Sequence, residues 1–273
     1  MTGYLQEMLS YPFMLRAAVL GLAVSVAAAL LGVSLVLKRY AMIGQGLSQV
    51  AFAALAVATV FGWTPISVAM PATLIASFFI LRIQGRSGLH GDAVIAMISS
   101  LTLAFGVFLI SLSTGINTDI CNYLFGSILA ATEFEMYLGL GLMLLVIAVY
   151  LICYRQLFNL TFDEDFALVS GMHIEVYRSL LALLAGSTIV LGMRTLGTLL
   201  ISALVVFPAM TALQIAQRFR SVLLLSITIS VACFSLGLLL SYAYGLPPGA
   251  SVVLLNGICF VFAYGRRRIL ARV

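Results

Sequence analysis

The chain has 273 residues, of which 63% are hydrophobic and only 8% are charged. A soluble fold of this length could not cover so much apolar surface, so the composition excludes a soluble domain and predicts an integral membrane protein. The net charge is +5, but the basic residues stand at the ends of apolar runs. This placement is typical of cytoplasmic loops that orient a membrane protein, and it argues against nucleic acid as a partner.

In chain order, the apolar runs predict helices that cross the bilayer. The first ten residues carry no positive charge, so we expect the first run to be retained as a span rather than cleaved. Starting outside and alternating, the runs place the main basic clusters on the cytoplasmic side. The predicted fold is an all-α, polytopic transmembrane helix bundle of eight to nine spans in a single domain, residues 1–273. The runs are 13–37, 46–62, 65–83, 92–113, 134–153, 178–193, 197–217, 221–244 and 249–265.

The block 178–217 leaves the span count open. It predicts either two short helices broken at 193–197 or one span with a re-entrant piece. Further along, Pro208 is expected to kink or break its helix, and residues 247–249 form a turn between the last two spans.

Gln45 and Gln49 stand four residues apart in the second run and therefore share one face of a helix. Polar side chains on one face of a membrane helix indicate either a packed interface or a route through the protein. Fewer polar candidates occur elsewhere. Asp92 is expected at a helix N-terminus, and Asp119 either caps the next helix or contacts a partner. Arg194 pairs with an acid such as Asp119 or extends to the interface.

The longest charged interruption is the segment 159–177, which holds four of the nine acidic residues. Its pattern predicts a short cytoplasmic helix that Thr161 caps and Gly171 ends. The segment is either an ordinary solvated loop helix or an element that docks onto a cytoplasmic partner.

Six motifs occur in an order that resembles the membrane subunits of ABC-type zinc and manganese uptake systems. The resemblance runs over nearly the whole chain, and no single motif decides it. The motifs are 44–49, 91–93, 117–127, 162–167, 197–209 and 247–250.

The resemblance implies a homodimeric permease in the plasma membrane of a prokaryote. Its partners would be a second copy of the chain, a cytoplasmic ABC ATPase dimer and an extracytoplasmic metal-binding protein. Zn²⁺ or Mn²⁺ would be cargo, with no cofactor held by this chain. The only lysine, Lys38, is followed by Arg39, so the sequence has no phosphate-binding loop, and the energy for transport comes from a partner or from an ion gradient. The resemblance implies the partner, with ATP hydrolysis on a separate chain. The resemblance also implies a coupling helix that contacts the ATPase through Asp163, Glu164, Asp165, Phe166, Ala167 and Gly171.

In the resembled family, positions 45 and 49 are Asp and His and bind the metal ion. This chain has Gln at both positions. Four interpretations stay open: a metal permease with a crippled site, a paralogue that passes metal weakly or through other groups, a permease for cargo other than a bare cation, and a pair of amides that only join subunits. No pattern for intramembrane hydrolysis occurs in the sequence. The rival transport class is a gradient-driven secondary carrier.

Overall fold

The computed structural model describes residues 12–84, 91–112, 133–162 and 164–270, and the regular structure within these ranges is helical. This follows from the composition, because a backbone inside the bilayer must satisfy its own N–H and C=O groups, and a helix does so within one segment. The helices are α1 (Pro12–Leu37), α2 (Ile43–Phe61), α3 (Pro65–Gln84), α4 (Gly91–Leu112), α5 (Glu133–Ile152), α6 (Tyr154–Phe162), α7 (Glu164–Val169), α8 (Ile174–Leu196), α9 (Thr198–Ile215), α10 (Phe219–Tyr244) and α11 (Pro248–Leu270).

Among the described residues, seven helices are long and apolar enough to cross a membrane on their own: α1, α2, α4, α8, α9, α10 and α11. Helices α5 and α6 pass the same test only as a pair, and they are bent by 69°. Helix α3 contributes a shorter apolar segment, Ser67–Leu81. Each predicted run has a matching helix, so the all-α polytopic prediction is confirmed.

Helix α1 lies at the centre of the bundle and packs against α5, α8, α9 and α10. Its contact with α9 is made backbone to backbone, because a Cβ on Gly32 would lie only 2.0 Å from the carbonyl oxygen of Val205. On another face, the Ser34 hydroxyl and the Tyr150 hydroxyl of α5 are hydrogen-bonded at 2.8 Å. Small residues and interhelical hydrogen bonds are what hold helices together in lipid, where apolar burial alone gives little.

Within the predicted break at 193–197, only Gly197 lies outside a helix, and it separates two full helices. Helix α8 has 23 residues and α9 has 18, and Gly197 lies between them with φ 89° and ψ 160°. That φ belongs to the region that favours glycine. The two-helix alternative for the block 178–217 is therefore confirmed.

The segment 159–177 differs from the prediction of one capped helix. Thr161 lies inside α6, where its hydroxyl donates to the carbonyl of Leu157 at 2.6 Å, so its predicted role as a cap is wrong. The reason is that a threonine hydroxyl inside a helix can donate to the carbonyl four residues earlier instead of capping the next helix. Helix α7 is a separate six-residue helix. Gly171 follows it with φ 77°, as predicted for its end.

Pro208 and Pro248 differ in their positions within the helices. Helix α9 continues through the buried Pro208, so the predicted alternative of a break is wrong. In a membrane bundle, neighbouring helices and hydroxyl side chains compensate for the missing proline N–H. The turn between the last two spans lies at 245–247 rather than at the predicted 247–249, because Gly245 ends α10 with φ 66° and Pro248 already begins α11.

Candidate functional site

Gln45 lies in the first turn of α2, directly after the tight connection from α1. Arg39 within that connection has φ 62°, an uncommon value for a residue other than glycine. The backbone N–H of Tyr40 returns to the Leu35 carbonyl at 2.8 Å and closes the end of α1. Gln45 and Gln49 therefore belong to the first two turns of α2, and their spacing places them on the same face.

Gln45 is exposed and lines a cleft of about 380 Å³ between α2, α9 and α11. Ser202 of α9 is the other residue with a polar side chain in this lining, and its hydroxyl donates to the Leu199 carbonyl of its own helix at 3.0 Å. Phe207 and Val253 form part of the apolar remainder. The cleft is thus neutral and mostly apolar, with one carboxamide available to a ligand.

Gln49 is half-buried, and its side-chain oxygen accepts no hydrogen bond from any described residue. A buried acceptor without a donor costs about 1–3 kcal/mol, so this oxygen favours any donor or cation that reaches it. The chemistry is weak, however, because a carboxamide carries no charge to offset the desolvation of a dication. Within the described part of the chain, no cluster of three or more His, Cys, Asp or Glu residues could hold a metal ion.

Helix α4 packs closely along α2. A Cβ on Gly46 would lie 2.5 Å from the side chain of Ile95, and one on Gly106 would lie 2.9 Å from the ring of Phe52. Asp92 lies in the first turn of α4, one turn before Ile95, as predicted for a residue near a helix N-terminus. The side chain of Asp92 and the whole of Asp119 lie outside the described residues, so their predicted roles stay predictions.

Arg194 is half-buried in the last turn of α8. Its predicted pairing with Asp119 is not tested, because Asp119 is not described.

A second cluster joins α7 to the membrane helices, and the sequence pattern did not reveal it. The Glu164 carboxylate binds the ammonium of Lys38, the residue that follows α1. Its other oxygen accepts from the guanidinium of Arg178 in α8 at 3.1 Å. The side chains of Lys38 and Arg178 are only 7% and 13% exposed, whereas that of Glu164 is 39% exposed. Two nearly buried cations are thus neutralised mainly by one carboxylate of α7.

The pKa values in this cluster reflect burial and pairing together. Burial raises the pKa of the Glu164 carboxyl, but the hydrogen bond and charge of Lys38 and the charge of Arg178 outweigh burial and hold that pKa below its usual value. Burial lowers the pKa of the Lys38 ammonium, and the bond to Glu164 offsets part of the shift. Glu164 is therefore ionised at neutral pH.

The predicted ATPase-coupling residues divide into two groups. Glu164 and the fully buried Ala167 face the protein, whereas Phe166 is exposed, as are Leu168 and Val169, which were not in the predicted set. Exposed apolar side chains at the end of a short helix between two spans indicate a contact surface. The remaining members are Gly171, which is exposed after the helix, and Asp163 and the side chain of Asp165, which lie outside the described residues.

Comparison with known proteins identifies the family of this chain. The model of the ABC 3 transport family matches residues 10–266. The chain belongs to the ABC 3 transport family. As a permease of this family it is a multi-pass membrane subunit, and ATP hydrolysis belongs to a separate chain, as the sequence predicted.

Relatives of this ABC 3 permease match it along almost their whole length. It is 30% identical over 261 residues to the manganese import system permease protein ScaB of Streptococcus gordonii, covering 96% of this chain and 94% of ScaB. It is 29% identical over 248 residues to the high-affinity zinc uptake system membrane protein ZnuB of Haemophilus influenzae, covering 90% and 95%. Among solved structures, PsaBC from Streptococcus pneumoniae in complex with Fab superposes with a TM-score of 0.84 at 28% identity, covering 96% and 95%.

Proposed function

We propose that this chain is the membrane-spanning permease subunit of an ABC importer for divalent manganese or zinc. The observation that carries the proposal is its likeness, along nearly the whole of each chain, to permease subunits named for these two metals. Two copies of the chain would enclose the pathway, with an ATPase dimer on the cytoplasmic side and a metal-binding protein on the other. The metal ion is cargo.

The contact with the ATPase is assigned to α7. Leu168 and Val169 are 64% and 89% exposed, and Phe166 beside them is exposed as well. Glu164 on the same short helix is tied to α1 and α8, so a force applied to the exposed side chains reaches the membrane helices through its ion pairs. A helix that is anchored to the bundle and has an apolar outer face is suited to transmit movement of the ATPase to the membrane helices.

The pathway is assigned to the face of α2 that carries Gln45 and Gln49. In a dimer, four carboxamides would replace the charged and imidazole ligands typical of a divalent metal site. Such a site holds a dication weakly, because no negative charge offsets its desolvation. We therefore expect low retention of metal by the permease itself.

A second candidate, a permease for cargo other than a bare cation, is favoured by the neutral lining of the Gln45 cleft. Gln45 and Ser202 supply the only polar side chains of that lining. A small polar molecule that accepts and donates hydrogen bonds would suit this cleft at least as well as a dication.

The proposal is tested by co-expressing the chain with its cognate ATPase and measuring co-purification and radioactive manganese uptake in vesicles. Leu168→Asp should abolish co-purification, because a charge is placed in an apolar contact. Leu246→Asp is the matched control, since Leu246 is also exposed but lies at the opposite end of the bundle. Equal loss in both variants would contradict the α7 contact, and uptake by the purified chain alone under an ion gradient would replace the ABC proposal with a secondary carrier.

A further inference from the structure

A large cleft on the same side of the bundle as α7 belongs to neither the pathway nor the contact assigned to the ATPase. Its volume is about 770 Å³, and it opens where α6 meets the start of α10. We call it the arginine cleft. It is lined by Tyr154, Arg155, Phe158, Asn159, Arg218, Phe219, Arg220 and Ser221.

The three arginines of the cleft have no acidic partner among the side chains that the structure describes. Arg155, Arg218 and Arg220 are exposed, and the ion pairs of the described residues include none of them. Their situation differs from that of Arg178, which binds Glu164 at 3.1 Å and lies 3.6 Å from Glu175. The lining contains no acidic residue at all. Three guanidinium groups thus converge on one cleft without a counter-charge from any described residue.

The helices that border the cleft indicate its level relative to the membrane. Ile152, at the end of the spanning helix α5, is 78% exposed, and Leu224, in the second turn of α10, is 67% exposed. Exposed apolar side chains of this kind mark the surface that faces hydrocarbon, so the arginines one turn away lie at the level of the lipid headgroups. The basic ends of these spans also belong to the cytoplasmic side.

The floor of the cleft is aromatic. The rings of Phe158 and Phe219 are 5.1 Å apart, and the Arg220 guanidinium lies 6.0 Å from the centre of the Tyr154 ring. Helix α6 turns by 69° from α5 and buries Leu157 and Leu160, so it runs beside the bundle end rather than across the membrane. Aromatic rings and basic groups at the end of membrane helices are the usual setting for a headgroup.

We propose that the arginine cleft binds the phosphate group of an anionic phospholipid from the cytoplasmic leaflet. Guanidinium groups bind phosphate oxygens in pairs, which gives a stronger contact than a single point charge. Asn159 and Ser221 add donors for the glycerol and headgroup oxygens, and the aromatic rings border the first part of the acyl chains. Lipid is favoured over an acidic protein surface because the flanking side chains are apolar and face the bilayer.

The experiment uses the purified full-length chain in detergent, mixed with phosphatidylglycerol and phosphatidylcholine in equal amounts, with retained lipid counted by native mass spectrometry. Arg218→Gln with Arg220→Gln is the test variant. Arg266→Gln with Arg268→Gln is the matched control, since it removes two exposed arginines from the end of α11. A basic residue at a membrane surface contributes about a fivefold preference for anionic lipid, so the test variant should lose at least about fivefold in the ratio of retained lipids, and the control less than about twofold.

Three results would overturn the proposal. An equal fall in both variants would mean diffuse attraction rather than a site. An unchanged ratio in the test variant, with its thermal unfolding also unchanged, would mean that the cleft does not bind lipid. Displacement of phosphatidylglycerol by millimolar inorganic phosphate would identify a free anion as the ligand. Arg155→Gln alone serves as a milder variant if the double variant unfolds. The assay contains neither ATPase nor metal, so its result is independent of the transport proposal.

Discussion

Glu164 of α7 binds Lys38, although the two residues are 126 positions apart in the chain. The contact fastens the short helix α7 to the end of the central membrane helix, and Arg178 of α8 completes it at 3.1 Å. This contact leads to two predictions, and the face of α2 and the packing of α1 on α9 lead to one more each.

Glu164→Gln should lower the stability of the protein by about 1–3 kcal/mol, since two nearly buried cations then lose their carboxylate. The figure stays below that for a fully buried pair because Glu164 itself is partly exposed. Thermal unfolding in detergent and hydrogen exchange of residues 164–172 measure the effect. Glu175→Gln is the control, because Glu175 lies 3.6 Å from Arg178 and is 59% exposed. A larger effect from Glu175→Gln would contradict the central role of Glu164.

The same contact should weaken in acid. The pKa of Glu164 is lowered in the folded protein, so its contribution is complete above the unfolded value of about 4.3 and is lost as the pH falls through the folded pKa. Exchange protection of α7 should therefore be constant between pH 6 and pH 8 and fall below about pH 4. Glu164→Gln should remove this part of the acid dependence. A similar acid profile in that variant would assign the transition to other carboxyls.

Gln45→Asp combined with Gln49→His should increase manganese or zinc binding and uptake. The physical reason is that two copies would then supply two negative charges and two imidazoles on the proposed pathway face of α2. An increase in apparent affinity of at least about tenfold is expected from charge attraction alone. Radioactive metal uptake in vesicles that contain the cognate ATPase provides the measurement.

The control for this pair is Gln45→Asn with Gln49→Asn, which changes length but not charge. We expect it to give no gain. The metal pathway would be contradicted if the Asp and His variant also gave no gain while the ATPase remained bound.

Gly32→Ala should destabilise the bundle by about 1–3 kcal/mol, because the new methyl group would collide with the backbone of α9. Its ideal Cβ lies 2.0 Å from the Val205 carbonyl oxygen. Gly141→Ala is the matched control, since a Cβ there meets nothing within 4 Å and the position is also helical. Thermal unfolding of the two variants should differ clearly. Equal stability would mean that α1 and α9 separate without cost.

Hydropathy and turn chemistry predicted the helices well. Each apolar run forms a helix, Gly197 follows the end of α8, and the turn between α10 and α11 lies two residues before the predicted 247–249. These features depend on neighbouring residues, so they are visible in one sequence.

Features that depend on distant residues were not visible. Nothing local in the acidic segment distinguishes Glu164, which turns inward to Lys38, from its acidic neighbours, and Thr161 had two hydrogen-bonding alternatives within reach. The kink or break expected at Pro208 is the behaviour of proline in an isolated helix. Within the bundle, α9 continues through Pro208. The candidate pathway was predicted as a helix face, but the cleft beside Gln45 needs α9 and α11, which arrive much later in the chain.

The connection between α1 and α2 brings the α7 contact close in the chain to the Gln45 cleft. Lys38, which binds α7, and Gln45, which lines the cleft, are separated by only six residues, 39–44. Arg39 makes that connection a tight turn rather than a slack loop. A shift of α7 would therefore reach the first turn of α2 directly, without first being relayed through the full thickness of the bilayer.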